Sequence, residues 1–198
     1  MSPDQDWAAY AVPPHVTLGP TLETERLILR PPAVEDFPRW AEFMADPETT
    51  RFIGGVQPAP QVWRTLCTIA GMWALSGEGM FSILEKSSGL WLGRIGPLHP
   101  YGWPGCEVGW SLHRDATGKG YAVEAAAASM DYAFDVLGWD DVIHCIDPDN
   151  LGSEKVALRL GSSNRGPGAM PPPFQHHPVN LWGQTREEWR VNRKALGL

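Results

Sequence analysis

The stretch HRDATGKGYAVEAAAA, His113 to Ala128, places two glycines around a lysine directly ahead of an alanine-rich run. Glycine loses more conformational freedom on folding than any other residue, so a Gly-x-Gly pair at a helix entrance marks backbone amides left open to a ligand. The run behind it has helical period from about Gly120 to a stop at Gly138. Ala122, Ala125, Ala126, Ser129, Met130, Ala133, Phe134 and Leu137 share one face, with Glu124, Asp131 and Asp135 opposite. Ahead of it, CEVGWSLH (Cys106–His113) reads as a strand. A strand, a short turn and a helix whose first amides point outward can hold a pyrophosphate without a metal. Two other phosphate loops fail on spacing. A Walker loop needs Gly at 114 and Ser or Thr at 120, where the chain has Arg114 and Gly120; a dinucleotide fingerprint needs a third Gly at 123, which is Val123.

Working outward, residues 1–20 carry Pro3, Pro13, Pro14 and Pro20 with little periodicity and read as an N-terminal extension to a domain over residues 21–198. TLETERLILRPP reads as a strand ended by a Pro pair. AVEDFPRWAEFMAD reads as an amphipathic helix, and a second helix lies within APQVWRTLCTIAGMWALSG, closed by Gly77. From Met80 the period changes to two strands joined near Ser87–Gly89. DDVIHCID is a short strand, and NLGSEKVALRLG a helix opened by Asn150 and closed by Gly161. Then SSNRGPGAMPPPFQHHPV is too rich in Gly and Pro for a strand, VNLWGQ suits one, and TREEWRVNRKAL is a charged helix capped by Thr185.

The 198 residues, 43% hydrophobic and 20% charged, suit a folded domain and exclude a disordered chain. No apolar run reaches the roughly 18 residues of a membrane span, and the start MSPDQDWAAYAVPP has no signal core, so a cytoplasmic protein without membrane contact is expected. The net charge of −7 argues against a nucleic-acid partner and leans toward a cationic substrate. Cys67, Cys106 and Cys145 stand far apart and read as buried thiols. His176 and His177 diverge on an extended chain and lack further ligands, so no metal is expected.

EVGWSLHRDATGKGYAVEAAAASMDYAFDVLGW resembles the acyl-CoA binding segment of the GNAT superfamily of N-acyltransferases, in its RimJ/RimL-like branch. TERLILRPP, GRIG, NLGSEKVALRLG and TREEW resemble that branch too and come in the same order, so the likeness spans residues 21–190. The resemblance implies an α/β (α+β) fold, with a mixed, mainly antiparallel six- to seven-stranded sheet and helices on both faces. It implies acetyl-CoA as cofactor, its pyrophosphate on the amides of Ala116, Thr117, Gly118, Lys119, Gly120 and Tyr121, next to Ala122. Pantetheine would lie along Val108, Gly109, Trp110, Ser111 and Leu112, where that strand parts from Val142–Ile146. Three departures accompany it. Asp115 stands where the superfamily often has Gln or Arg, Ala157 where some members carry a tyrosine acid, and LGSSNRGPG where LGF is usual before the last strands.

The implied reaction transfers acetyl from acetyl-CoA to a primary amine, a peptide N-terminus or a small amine, by direct attack in a ternary complex. It needs a neutral amine, a stabilised oxyanion and a proton for the departing thiolate. Glu107 is the candidate base, against a reading as a solvated carboxylate at a strand end. The resemblance puts the oxyanion on the Trp110 amide and the acid on Ser153, with Asn150 binding pantetheine or positioning that serine; both also read as a helix cap and its first turn. An α-amine with a pKa of about 7.8 is about a tenth neutral at pH 7, whereas a lysine-like amine near 10.4 is neutral about once in several thousand, which favours a low-pKa acceptor. Trp103, Trp110 and Trp182 either line an acceptor cleft or pack, His144 points into the interior or the strand gap, and the loop Gly166–Pro178 is a lid or a connection. A homodimer is a candidate assembly. A silent acyl-CoA-binding module and an antibiotic or xenobiotic amine acetyltransferase stay open as rival functions.

Overall fold

The computed structural model describes residues 18–198, so nearly all of the expected extension over residues 1–20 lies outside the described residues. Eight strands follow in chain order: β1 (Leu22–Glu23), β2 (Leu27–Arg30), β3 (Phe81–Glu85), β4 (Trp91–Leu98), β5 (Glu107–Leu112), β6 (Asp141–Ile146), β7 (Ser163–Gly168) and β8 (Val179–Thr185). Six helices intervene: α1 (Phe37–Ala45), α2 (Pro47–Thr50), α3 (Ala59–Ser76), α4 (Tyr121–Asp135), α5 (Leu151–Arg159) and α6 (Arg186–Ala195). The strands form one sheet in the order β1-β2-β3-β4-β5-β6-β8-β7. The pair β5–β6 is parallel, whereas β1–β2, β2–β3, β6–β8 and β7–β8 are antiparallel, so the sheet is mixed as expected.

The eight strands are one more than the expected maximum of seven, and β1 and β7 are the two that the sequence pattern did not mark. β1 is a two-residue edge, too short to carry an alternation. β7 forms where Gly and Pro discouraged a strand: it is the last strand of the sheet, and a register shift between Asn164 and Pro167 takes up the proline, which cannot donate to a ladder.

The described residues gather into two compact units, each with its own core. The first runs through Arg94 and includes Ser111–Lys119. There Trp40 of α1 stacks on Trp91 with centroids 5.4 Å apart, and Phe43 meets Trp91 edge-on at 5.7 Å. Buried Asp36 accepts two bonds from Arg30 and one from Ser82 Oγ, whose oxygen accepts from the Trp91 indole. On α3, Val62, Leu66, Ile69 and Trp73 are buried at helical spacing. That leaves Cys67 on the solvent face, exposed rather than buried, while Cys106 and Cys145 are half-buried.

The second unit comprises Ile95–Trp110 and Gly120–Leu198. Its α4 is buried nearly all round, Glu124 included, and α6 covers part of the face expected to meet solvent: Trp189 Nε1 and Arg193 Nε both donate to Asp131, each at 2.9 Å, while Asp135 stays exposed. The Thr185–Glu188 capping box starts α6 where the sequence places it.

One glycine fixes how closely β4 meets β5. Gly93 has φ +153°, and a Cβ there would stand 2.3 Å from the Ser111 carbonyl oxygen and 2.8 Å from Leu112 Cα. Backbone cannot yield as a flexible side chain would. Gly93→Ala is expected to lower stability by about 2–4 kcal/mol, read as a drop in urea midpoint, with the Gly89→Ala variant, whose Cβ meets nothing, losing less.

Candidate functional site

In the first unit the chain leaves β5 through a 3₁₀ turn at Arg114–Ala116. Within it the Ala116 amide donates to the His113 carbonyl (2.9 Å) and the Thr117 amide to that of Arg114 (3.1 Å). These two amides, expected to face a ligand, are therefore engaged in the turn. Gly118 (φ +75°) and Gly120 (φ +82°) then take left-handed conformations, and a Cβ on Gly118 would meet nothing within 4 Å. Gly120 caps α4 without any side-chain hydrogen bond, and the first backbone bond closing the helix runs from Glu124 to Gly120. Among the described residues, the amides of Gly118, Lys119, Gly120 and Ala122 have no acceptor. This is the open donor set of a helix start, with the positive end of the helix dipole behind it.

Three arginines brace the turn. Arg26 donates to the Lys119 carbonyl (3.0 Å). Arg114 pairs with Asp46 at 2.7 Å, and with the Thr49 hydroxyl it holds the Asp46 carboxyl down at about 2. Arg39 donates to Asp115 (3.1 Å) and to the Trp91 carbonyl (2.7 Å). The acid beside the glycine turn is thus neutralised by Arg39, whose hydrogen bond lowers its pKa. Ser111 and Leu112 are half-buried, and Thr117, Gly118 and Lys119 are exposed.

In the second unit β5 meets β6 with Glu107 opposite Ile143, whose amide donates to the Cys106 carbonyl at 2.9 Å. One residue further on, the Val108 carbonyl accepts from a side chain, His144 Nδ1, at 2.7 Å. A carbonyl only accepts, so Nδ1 carries the proton and Nε2 accepts from the Ser162 hydroxyl (3.0 Å). Ser162 Oγ accepts in turn from Gln184 Nε2 (2.9 Å), and Gln184 Oε1 from Asn192 Nδ2 (2.9 Å). The chain of contacts ties β5 to α6 through buried groups.

Glu107 is buried, so it is not the solvated carboxylate considered above. Trp103 Nε1 donates to one oxygen (2.5 Å) and the Cys145 amide to the other (3.1 Å). Burial pushes its pKa up, against the pull of those two bonds and of a third with the Cys145 thiol. Trp110 lies with its ring 4.7 Å from that of His144 and donates from Nε1 to Ser153 Oγ (3.2 Å). Asn150 Oδ1 accepts from the Ser153 amide, which makes it the helix cap. Ala157, Ile146 and Trp182 form a buried cluster on which Trp110 packs, and the Trp182 indole N–H has no acceptor. Glu107, Val108, Trp110, Asn150 and Ser153, with half-buried Gly109, belong to this unit; Tyr121 and Ala122 begin its helix α4.

Residues 26–163 match the model of the acetyltransferase (GNAT) domain. The chain belongs to the GNAT acetyltransferase family, in its RimJ/RimL-like branch. It is 31% identical over 150 residues to an uncharacterised N-acetyltransferase, p20, of Bacillus licheniformis, covering 74% of this chain and 84% of that one. YnaD of Bacillus subtilis, another uncharacterised N-acetyltransferase, is 24% identical over 146 residues, covering 73% and 84%. Among solved structures, an acetyltransferase from Agrobacterium tumefaciens superposes with a TM-score of 0.73 at 34% identity, over 84% of this chain and 95% of that one. The GNAT match ends at the first residue of β7, so Gln184 and Asn192 lie beyond it.

Sequence reasoning missed the bracing Arg26, Arg39 and Asp46 and the chain from His144 to Asn192. No local pattern announces such partners, whose members stand up to 93 residues apart along the chain. Burial pulls the His144 imidazole down to about 4 from 6.5. The fold resists the proton that the unfolded chain takes up, so stability is fully present above about pH 6.5 and falls as pH drops toward 4. Urea denaturation across that range is expected to show a loss of about 3 kcal/mol that His144→Gln largely removes.

Proposed function

We propose that this GNAT-family chain transfers an acetyl group from acetyl-CoA to a primary amine, a peptide N-terminus or a small amine, by direct attack in a ternary complex. The observation that carries it is the set of open amides of Gly118, Lys119, Gly120 and Ala122 at the uncapped start of α4. These residues fit a pyrophosphate: donors without acceptors, glycines that keep side chains away, and braces on the flanking charges. Gly118, Lys119, Gly120, Tyr121 and Ala122 would hold it, and Val108–Leu112 would carry the pantetheine arm. When bound, the thioester supplies an activated acyl carbon.

The chain's own groups do the rest. Glu107 takes the proton of the acceptor ammonium on its carboxylate, and its raised pKa makes it a stronger base than an exposed carboxylate. The Trp110 amide stabilises the oxyanion. Ser153 Oγ already accepts from the Trp110 indole, so its own O–H is left to donate toward the departing sulfur. An α-amine, already partly neutral, suits a single buried carboxylate better than a lysine-like amine does.

Calorimetric titration with acetyl-CoA is expected to give micromolar affinity, lost at least about 100-fold in the Gly118→Val/Gly120→Val double variant. An intact protein that does not bind overturns the reading, and binding without turnover over a broad amine panel leaves only a silent binding module. For the base, kcat/KM is expected to rise with pH through a limb set above the ordinary carboxylate value of 4.5, because a raised pKa keeps Glu107 protonated to higher pH. Glu107→Gln should erase that limb and lower kcat/KM by about 10²–10⁴-fold, more for a lysine-like acceptor than for an α-amine.

A further inference from the structure

Arg94 sits in the middle of β4, half-buried, with its guanidinium carbon 5.5 Å from the centre of the Trp40 ring. Its Nε is shielded from solvent and has no acceptor, and the indole N–H of the same Trp40 is buried and unmatched too. The other arginines facing this core are paired: Arg30 with Asp36, and Arg39 with Asp115 and Glu42. Arg94 makes no ion pair among the described residues, in a chain with 23 acidic residues. Burial pulls its pKa only to about 10, so the charge persists at neutral pH. Burying the Nε donor of a cation without an acceptor is costly, and so is burying the Trp40 N–H without one. A ligand anion would satisfy both.

The position narrows which anion. The preceding residue, Gly93, lies directly against Ser111 and Leu112, the last residues of the strand assigned to the pantetheine arm. In that reading the phosphates of the cofactor already have the open amides of Gly118, Lys119, Gly120 and Ala122. We propose that Arg94, with the Trp40 indole N–H, is an anion site that takes a carboxylate on the acceptor, so that the acceptor is an amine that also carries a carboxylate. The proposal rests on the acetyl-transfer reading above. It refines the lean toward a cationic substrate drawn from net charge, which averages over the whole surface and does not see one buried cation.

The test offers amino acids as free acids and as their carboxamides. The wild type is expected to show a KM about 10- to 100-fold lower for the free acid, the range of a charge-assisted hydrogen bond. Arg94→Met and Arg94→Gln should bring the two KM values together, with Arg94→Lys keeping part of the difference. Arg94→Met should also melt above the wild type, since it removes a buried unpaired charge; a purely structural arginine would give the opposite shift. Equal KM values in the wild type, or a preference that survives in the variants, would overturn the proposal. So would a loss of acetyl-CoA affinity with acceptor preference unchanged, which would assign the anion to the cofactor. If no amine is acetylated in either form, the transfer reading fails separately, and calorimetry with N-acetyl amino acids decides the site alone. Binding that Arg94→Met abolishes supports it, and no binding overturns it.

Discussion

The site depends on one substitution of bonding partners at the sheet's parallel seam. At Glu107 and Ile143 β5 and β6 are joined by a backbone bond, and at Val108 the carbonyl is held by the His144 imidazole instead. A buried carbonyl must be paired, and a second strand would normally pair it. With a side chain in that role, β5 is free to diverge from β6 without leaving an orphan acceptor. The proposed cofactor strand is the piece so released. The imidazole is fixed in turn by Ser162, Gln184 and Asn192, so the seam is anchored to the C-terminal helix rather than to local sequence.

What the sequence made legible follows from range. The turn at Gly118 and Gly120, the start of α4, the Asn150 cap and the Thr185 box are decided within four or five residues, and each stands where its pattern put it. Gly-x-Gly before an alanine run has few local alternatives. The edge strands were harder. β1 has two residues, and β7 carries Gly166 and Pro167 and is held by its partner β8 and a bulge rather than by propensity. The amphipathic reading of α4 went astray for a related reason: Asp131 looks like a solvent residue until Trp189 and Arg193, about sixty positions on, cover it.

The charged groups near the turn show the same division. Asp115 beside an anion site looks misplaced in the sequence, and Arg39 resolves it from α1; Arg114 looks available for a phosphate, and Asp46 has taken it. The exposed parts of these pairs contribute little to stability. Their effect is to cancel charge on either side of the turn, so that the backbone donors and the Lys119 cation define the field a ligand meets.

Two buried titratable groups lie next to each other on this seam, and their bonding capacity separates them. Neutral His144 donates from Nδ1 and accepts at Nε2, so both nitrogens are saturated and a proton taken at Nε2 would break the bond from Ser162. The oxygens of Glu107 accept from the Trp103 indole, the Cys145 amide and the Cys145 thiol, which leaves one of their four lone pairs in reserve. Burial acts on both by disfavouring charge, lowering the imidazole to about 4 and raising the carboxyl. The first shift takes His144 out of proton traffic at neutral pH; the second brings Glu107 nearer to it. The proposed base is therefore the residue that the same low-polarity surroundings prepare, and the histidine is its scaffold.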